Sequence, residues 1–176
     1  MRRILITLMA LLAAVAFIAP SADAASPHFK KGGSPTCTVT GGTTTCTGTL
    51  AGLGNGDVTI NVTTSGSAVY QCQNQGGNIA PGQNKVLVGP STTTDVIPNS
   101  AIKNGNLTFN TTPNTLTAPD EVSGETAGCP NSNWKGVNPT VTVTDITLTI
   151  SQGGAVLFTC TASNPNGLSG RVPLSC

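Results

Sequence analysis

The chain has 176 residues, 8 basic and 7 acidic, with a formal net charge of +1 and 21 Gly, 12 Pro and 6 Cys. That length suits one domain, and so sparse and balanced a charge offers no electrostatic basis for binding DNA, RNA or an acidic membrane. Polarity comes instead from Thr, which fits half-buried strands, and Asn, which fits turns.

The first segment reads as targeting rather than structure. Arg2 and Arg3 precede an apolar run from Ile4 to Ile18, and Ala19-Pro20-Ser21-Ala22-Asp23-Ala24 ends in a small-x-small site. This is the layout of a secretory signal peptide cleaved after Ala24. The run is shorter than the ~20 apolar residues a membrane span needs, and no later stretch is apolar enough to cross. Residues 1–24 are read as the cleaved signal, 25–35 as a flexible N-terminal segment and 36–176 as one β-sandwich domain. Beyond Ala24, six basic residues balance six acidic ones.

All six cysteines follow the signal: Cys37, Cys46, Cys72, Cys129, Cys160 and Cys176. An even number in an exported chain implies three disulfides. A zinc site lacks support, because there is no Cys-x-x-Cys and only one histidine.

Past the signal, helical periodicity gives way to period-two alternation punctuated by Gly, Asn and Pro, the mark of a sandwich or barrel. Thr36 to Thr40 and Thr43 to Leu50 flank Gly41-Gly42. A two-residue turn there sets Cys37 opposite Cys46 at a non-hydrogen-bonded pair, with Cα atoms roughly 4.5 Å apart, within disulfide range. A second hairpin is expected between Asp57–Thr63 and Ser67–Gln73, turning at Thr64-Ser65-Gly66 and pairing Val58 with Cys72 and Ile60 with Tyr70. Strands follow around Asn84–Val88, Thr92–Val96 and Gly105–Thr111. Thr112 to Asn138, rich in Pro, Gly and Asn, reads as an extended loop tethered by Cys129. A third hairpin joins Thr140–Ser151 to Ala155–Ala162 through Gln152-Gly153-Gly154, pairing Ile150 with Val156 and Leu148 with Phe158. Val141 and Val143 lie in the opposite phase from Ile146, so a bulge or a change of sheet is expected near Asp145. A last strand covers Arg171–Ser175. Cys72 with Cys129 and Cys160 with Cys176 are the natural remaining pairs, although six cysteines allow fifteen connectivities.

Candidate chemistry is thin. His28 near the mature N-terminus cannot complete a backbone copper or nickel site, because Pro27 has no N–H to deprotonate. One terminal histidine also leaves Ser-His and Cys-His catalysis without a base. Asp120, Glu121 and Glu125 form the closest acidic group, read as a solvated loop, with a carboxylate glycosidase or a weak calcium site as alternatives. Trp134, in an Asn-rich loop, either packs on the core or stacks on a sugar. Asn61, Asn106 and Asn110 match glycosylation sequons. In Asn74-Gln75-Gly76-Gly77-Asn78, the glycines permit conformations closed to other residues and the asparagines can bond nearby backbone. Asn74, Gly76, Gly77, Asn78 and Trp134 are the candidate binding residues, and no catalytic residue, metal or cofactor is expected.

Ser26-Pro27-His28-Phe29, Gly52-Leu53-Gly54-Asn55, the segment Tyr70-Gln71-Cys72-Gln73-Asn74-Gln75-Gly76-Gly77-Asn78 and Cys129-Pro130 carry a resemblance. The chain resembles a group of small secreted actinobacterial-type proteins of unknown function that share a Cys-x-Asn-x-Gly-Gly-Asn segment. The resemblance implies a bacterial source and a Cys72–Cys129 bridge, and it carries over no catalytic residue.

Together these readings point to a disulfide-stapled, all-β, immunoglobulin-like antiparallel β-sandwich of about eight strands. The expected role is that of a secreted, non-enzymatic extracellular protein, binding or envelope-associated. Its partner would be a cell-envelope component, a glycan or a small molecule. A small-molecule carrier of the antibiotic-apoprotein type is the first alternative, requiring an apolar cleft. The glycoside hydrolase is the second, requiring two carboxylates on one groove.

Overall fold

The computed structural model describes residues 26–176; the expected signal peptide, residues 1–24, lies outside them. The short strand β1 (His28–Phe29) opens the described chain. In β2 (Thr36–Thr40) and β3 (Thr43–Ala51), threonines alternate with Cys37, Val39 and Cys46, so one face turns inward. Gly41-Gly42 makes the two-residue turn, both residues at positive φ, and Cys37 faces Cys46 with Cα atoms 4.0 Å apart. The Cys46 N–H donates to Thr111 Oγ1 (2.9 Å) and its C=O accepts from the Thr111 N–H (2.9 Å). Both polar groups therefore point away from Cys37, which makes this the non-hydrogen-bonded pair that the disulfide uses.

The remaining strands are β4 (Val58–Gln73), β5 (Ile79–Ile97), β6 (Leu107–Asn110), β7 (Asn114–Thr115), β8 (Glu121–Ser123), β9 (Lys135–Gln152), β10 (Ala155–Ser163) and β11 (Gly170–Pro173), with a one-turn helix, α1 (Gly124–Ala127), after β8. Two antiparallel sheets form a sandwich. One runs β1-β3-β2-β11, with β6 and β7 on the other edge of β3; the second runs β10-β9-β4-β5, with β8 on β9. Val58, Ile60 and Val62 of β4 and Ile146, Leu148 and Ile150 of β9 are fully buried, facing Leu50, Leu107 and Phe109 of the first sheet. Each such aliphatic side chain contributes roughly 1.5–3 kcal/mol on burial. The far end of β4 is covered by Val122, Ala127 and the backbone near Pro119, whose carbonyl accepts from the Tyr70 hydroxyl at 2.9 Å.

The expected hairpin at Thr64-Ser65-Gly66 is absent: β4 is one strand of 16 residues. Both β5 and β9 pair along its length, and their ladders shift register between Thr64 and Gly66. The glycine marks a bulge, not a turn. A Cβ at Gly66 would collide with the Thr142 carbonyl, so glycine is needed for close backbone approach. Val58, Ile60, Ala68, Tyr70 and Cys72 still share the inward face, but as neighbours along one strand. Likewise Asn84–Val88 and Thr92–Val96 are parts of the single strand β5. The bulge expected near Asp145 is present: Asp145 faces Ser65 and Val143 faces Gly66, leaving Thr144 as the extra residue.

The third hairpin turns on two residues, Gly153-Gly154, both at positive φ. That is the favoured geometry for a twisted hairpin. It pairs Val156 with Ser151, and then a bulge at Leu157 shifts the ladder so that Phe158 faces Ile150 and Cys160 faces Leu148. The bulge returns Phe158, Cys160 and Ala162 to the face of Ile150, Leu148 and Ile146, as the three-residue loop was expected to do for the whole apolar set, but Val156, expected opposite Ile150, is left exposed. Eleven strands, rather than about eight, are present among the described residues because several are only two to four residues long. Thr112 to Asn138 holds β7, β8, α1 and the start of β9 rather than loop alone. Within residues 25–35, β1 pairs with β3, and Phe29 packs on Phe158 with ring centroids 4.6 Å apart.

Candidate functional site

β4 ends and β9 begins side by side, with Cys72 facing Gly136 and Gln73 facing Lys135. The loops beyond them, 74–78 and 130–134, therefore leave the sheet at one place. The Cys72–Cys129 disulfide, with Cα atoms 5.6 Å apart, ties their bases together. The third bridge, Cys160–Cys176, pins the C-terminus to β10 at a Cα separation of 4.0 Å.

Each loop is folded around an asparagine. In the first, the Asn74 N–H donates to the Asn78 carbonyl (3.1 Å), Gly77 N–H to the Asn74 carbonyl (2.9 Å), and Asn78 N–H to Asn74 Oδ1 (2.9 Å). Gly77 sits at φ +79°, a conformation open to glycine. In the second, the Trp134 N–H donates to the Asn131 carbonyl (3.2 Å) and Asn133 N–H to Asn131 Oδ1 (3.0 Å). α1 begins against this loop, and a Cβ at Gly124 would strike the Trp134 carbonyl.

Between the loops lies an open cavity of about 270 Å³ lined by Asn74, Gln75, Gly76, Asn131, Asn133 and Trp134. Three of the sequence candidates, Asn74, Gly76 and Trp134, are brought together there. Gly77 and Asn78 belong to the same turn but stay outside the lining. Gln75, Asn131 and Asn133 were not singled out from sequence. The signal for the last two was available in Asn131-Ser132-Asn133-Trp134, two residues after Cys129. Trp134 is half-buried: its buried part packs against the core and the rest faces the cavity. Nothing in the lining ionises.

The other candidates lie elsewhere. His28 Nδ1 is 2.8 Å from the Ser26 carbonyl. Glu121 pairs with Lys135 at 2.8 Å on the surface, where such pairs contribute about 0–1 kcal/mol. Glu125 occupies the first turn of α1. Burial, and secondarily the charge of Asp120, push the Tyr70 phenol above its ordinary value. Asp57 accepts from the Asn99 N–H, and Asp95 from the Thr112 N–H and hydroxyl. Asp145 accepts from Ser163 and Thr144 hydroxyls, at 2.6 Å each, which hold its carboxyl below the ordinary range. Among the described residues, no group of three or more His, Cys, Asp or Glu is placed to hold a metal. Two further cavities, each about 250 Å³, lie beside Val69, Ile79 and Pro81 and beside Lys85, Leu87 and Pro165. Comparison with protein-family models, curated proteins and solved structures finds no match.

Proposed function

We propose that this chain is exported and acts as a non-enzymatic, extracellular, envelope-associated binding protein whose site is the amide-lined cavity beside Trp134. One observation carries the reading: two loops nearly sixty residues apart converge on a neutral, donor-rich cavity, held by the Cys72–Cys129 bridge. Fixed polar groups beside an aromatic surface suit recognition of a small, uncharged, polar ligand. The signal-like N-terminus supports export, and three disulfides suit an oxidising compartment. Among the described residues no helix is long and apolar enough to cross a membrane. The pairing supports an immunoglobulin-like class: β10-β9-β4-β5 corresponds in order to the G, F, C and C′ strands, and β2-β3-β6 to A, B and E. Export also agrees with the resemblance to secreted actinobacterial-type proteins. A glycosidase reading draws no support from the carboxylates, because Asp57, Asp95 and Asp145 accept local hydrogen bonds and Glu121 is ion-paired.

A second reading, the small-molecule carrier, has one observation in its favour. The cavity of about 250 Å³ beside Val69, Tyr70, Ile79, Ala80 and Pro81 is mainly apolar. The test is to recover the secreted protein from medium, record its native mass, and pass it over envelope fractions and immobilised glycans. Retention on envelope or glycan is expected. A tightly bound extra mass would favour the carrier, and passage unretained over every surface would sink the binding reading.

A further inference from the structure

The cavity beside Trp134 has a lopsided hydrogen-bonding capacity, and the ligand class inferred for it rests on its being the binding site. Asn74 Oδ1 accepts from the Asn78 N–H at 2.9 Å, and Asn131 Oδ1 accepts from the Asn133 N–H at 3.0 Å. A backbone N–H can only donate, so in both side chains the oxygen faces its own loop and the NH₂ group is left over. Folding of the loops has used one lone pair of each oxygen and kept both N–H donors of each amide. Gln75 and Asn133 add adaptable amides, and Trp134 adds the apolar surface.

The occupant must therefore bring a strong acceptor, an adjoining apolar group and no charge. A carboxylate supplies acceptors but meets no cation in the lining, and a poorly paired charge is costly to desolvate. Sugar hydroxyls accept as well as donate, but they bring no apolar group to lie on Trp134 beside the amides. An acetamido group fits: its carbonyl accepts from the amides while its methyl rests on Trp134. A cavity of about 270 Å³ has room for roughly one sugar ring with that substituent. We infer that the cavity between the Asn74 and Trp134 loops binds the acetamido group of an N-acetylated amino sugar.

Trp134 is the chain's single tryptophan, so its fluorescence reports on this site alone. The mature, disulfide-bonded protein is titrated with N-acetylglucosamine, glucose, glucuronate, chitin oligosaccharides and soluble peptidoglycan glycan. A saturable change with N-acetylglucosamine is expected, with affinity at least about tenfold above glucose and glucuronate, the worth of one good hydrogen bond. Asn74→Asp and Asn131→Asp keep the oxygens that hold the loops and replace each donor by an acceptor. Both variants are expected to melt like the parent and to bind about tenfold or more weakly. Tighter binding of chitin or of peptidoglycan chains tells which source the sugar comes from. Equal affinity for glucose overturns the acetamido assignment but leaves a sugar site in place. Undiminished affinity in both variants overturns the donor argument. Silence towards every sugar overturns the inference, whereas retention on whole envelope judges the broader binding reading separately.

Discussion

Asn114 is fully buried between the sheets, and replacing it tests how far one polar side chain holds the sandwich together. It sits on β7 of the first sheet. Its Nδ2 donates to the carbonyls of Val62 (2.6 Å) on β4 and Ser91 (3.0 Å) on β5, and its Oδ1 accepts from Thr64 Oγ1 (3.1 Å). Asn114→Ala removes all three bonds at once. Thr64 Oγ1 is left unmatched in the buried part of the network at about 1–3 kcal/mol, while the carbonyls of Val62, which keeps its place in the β9-β4-β5 ladder, and of Ser91 each lose a bond of about 1 kcal/mol. The expected loss is therefore about 3–5 kcal/mol, a large share of the 5–15 kcal/mol of a typical domain. Urea unfolding with the disulfides intact measures it, read as a shift of midpoint at constant slope. Thr64→Val should cost less, about 1 kcal/mol, and the double variant should be less destabilised than the sum of the two. A loss below about 1 kcal/mol for Asn114→Ala would refute the claim that this network bolts the sheets together.

Gly66→Ala drives a Cβ into the Thr142 carbonyl and is expected to cost about 3 kcal/mol, whereas Gly77→Ala, with open space around it and only its φ of +79° to strain, should cost about 1–2 kcal/mol by thermal melting. Replacing Cys72 and Cys129 together by Ser opens a loop of sequence separation 57; the chain-entropy model puts the loss near ~4 kcal/mol, and sugar-dependent fluorescence should weaken with it. The Ser163 and Thr144 hydroxyls hold the Asp145 carboxyl below the ordinary aspartate range. Its contribution is thus present above the unfolded value and fades as pH falls through the folded one. Ser163→Ala should raise the Asp145 titration midpoint in an NMR pH series, and its stability deficit should vanish in acid. Thr44 is wholly buried and its hydroxyl has no hydrogen-bond partner among the described residues. Thr44→Val should accordingly leave the midpoint unchanged or raise stability by up to about 1 kcal/mol, and a clear loss would show that the hydroxyl is bonded in solution.

Sequence alone determined what depends on near neighbours along the chain. The Gly41-Gly42 turn sets Cys37 against Cys46 because a tight turn and strand geometry suffice to place them. The inward phase of Val58, Ile60, Ile146, Leu148 and Ile150 was legible because a strand's faces alternate whatever it pairs with. Tertiary structure decided what depends on the partner strand. Thr64-Ser65-Gly66 has the composition of a turn, but ladders from β5 and β9 on both flanks keep β4 straight through it. The bulge at Leu157 likewise arises because a tight Gly153-Gly154 turn and a one-faced apolar set cannot both hold without an extra residue. Asn114 reads as a loop asparagine, and only the approach of Val62, Thr64 and Ser91 makes it a clamp. The candidate cavity divides the same way. Its Gly-Gly-Asn loop and its tryptophan each stood out alone, while their meeting required β4 and β9 to lie side by side. The Cys72–Cys129 bridge was expected from the chain, but hydrogen bonds between residues fifty or more positions apart leave no local pattern, so the packed fold alone brings their partners to one place.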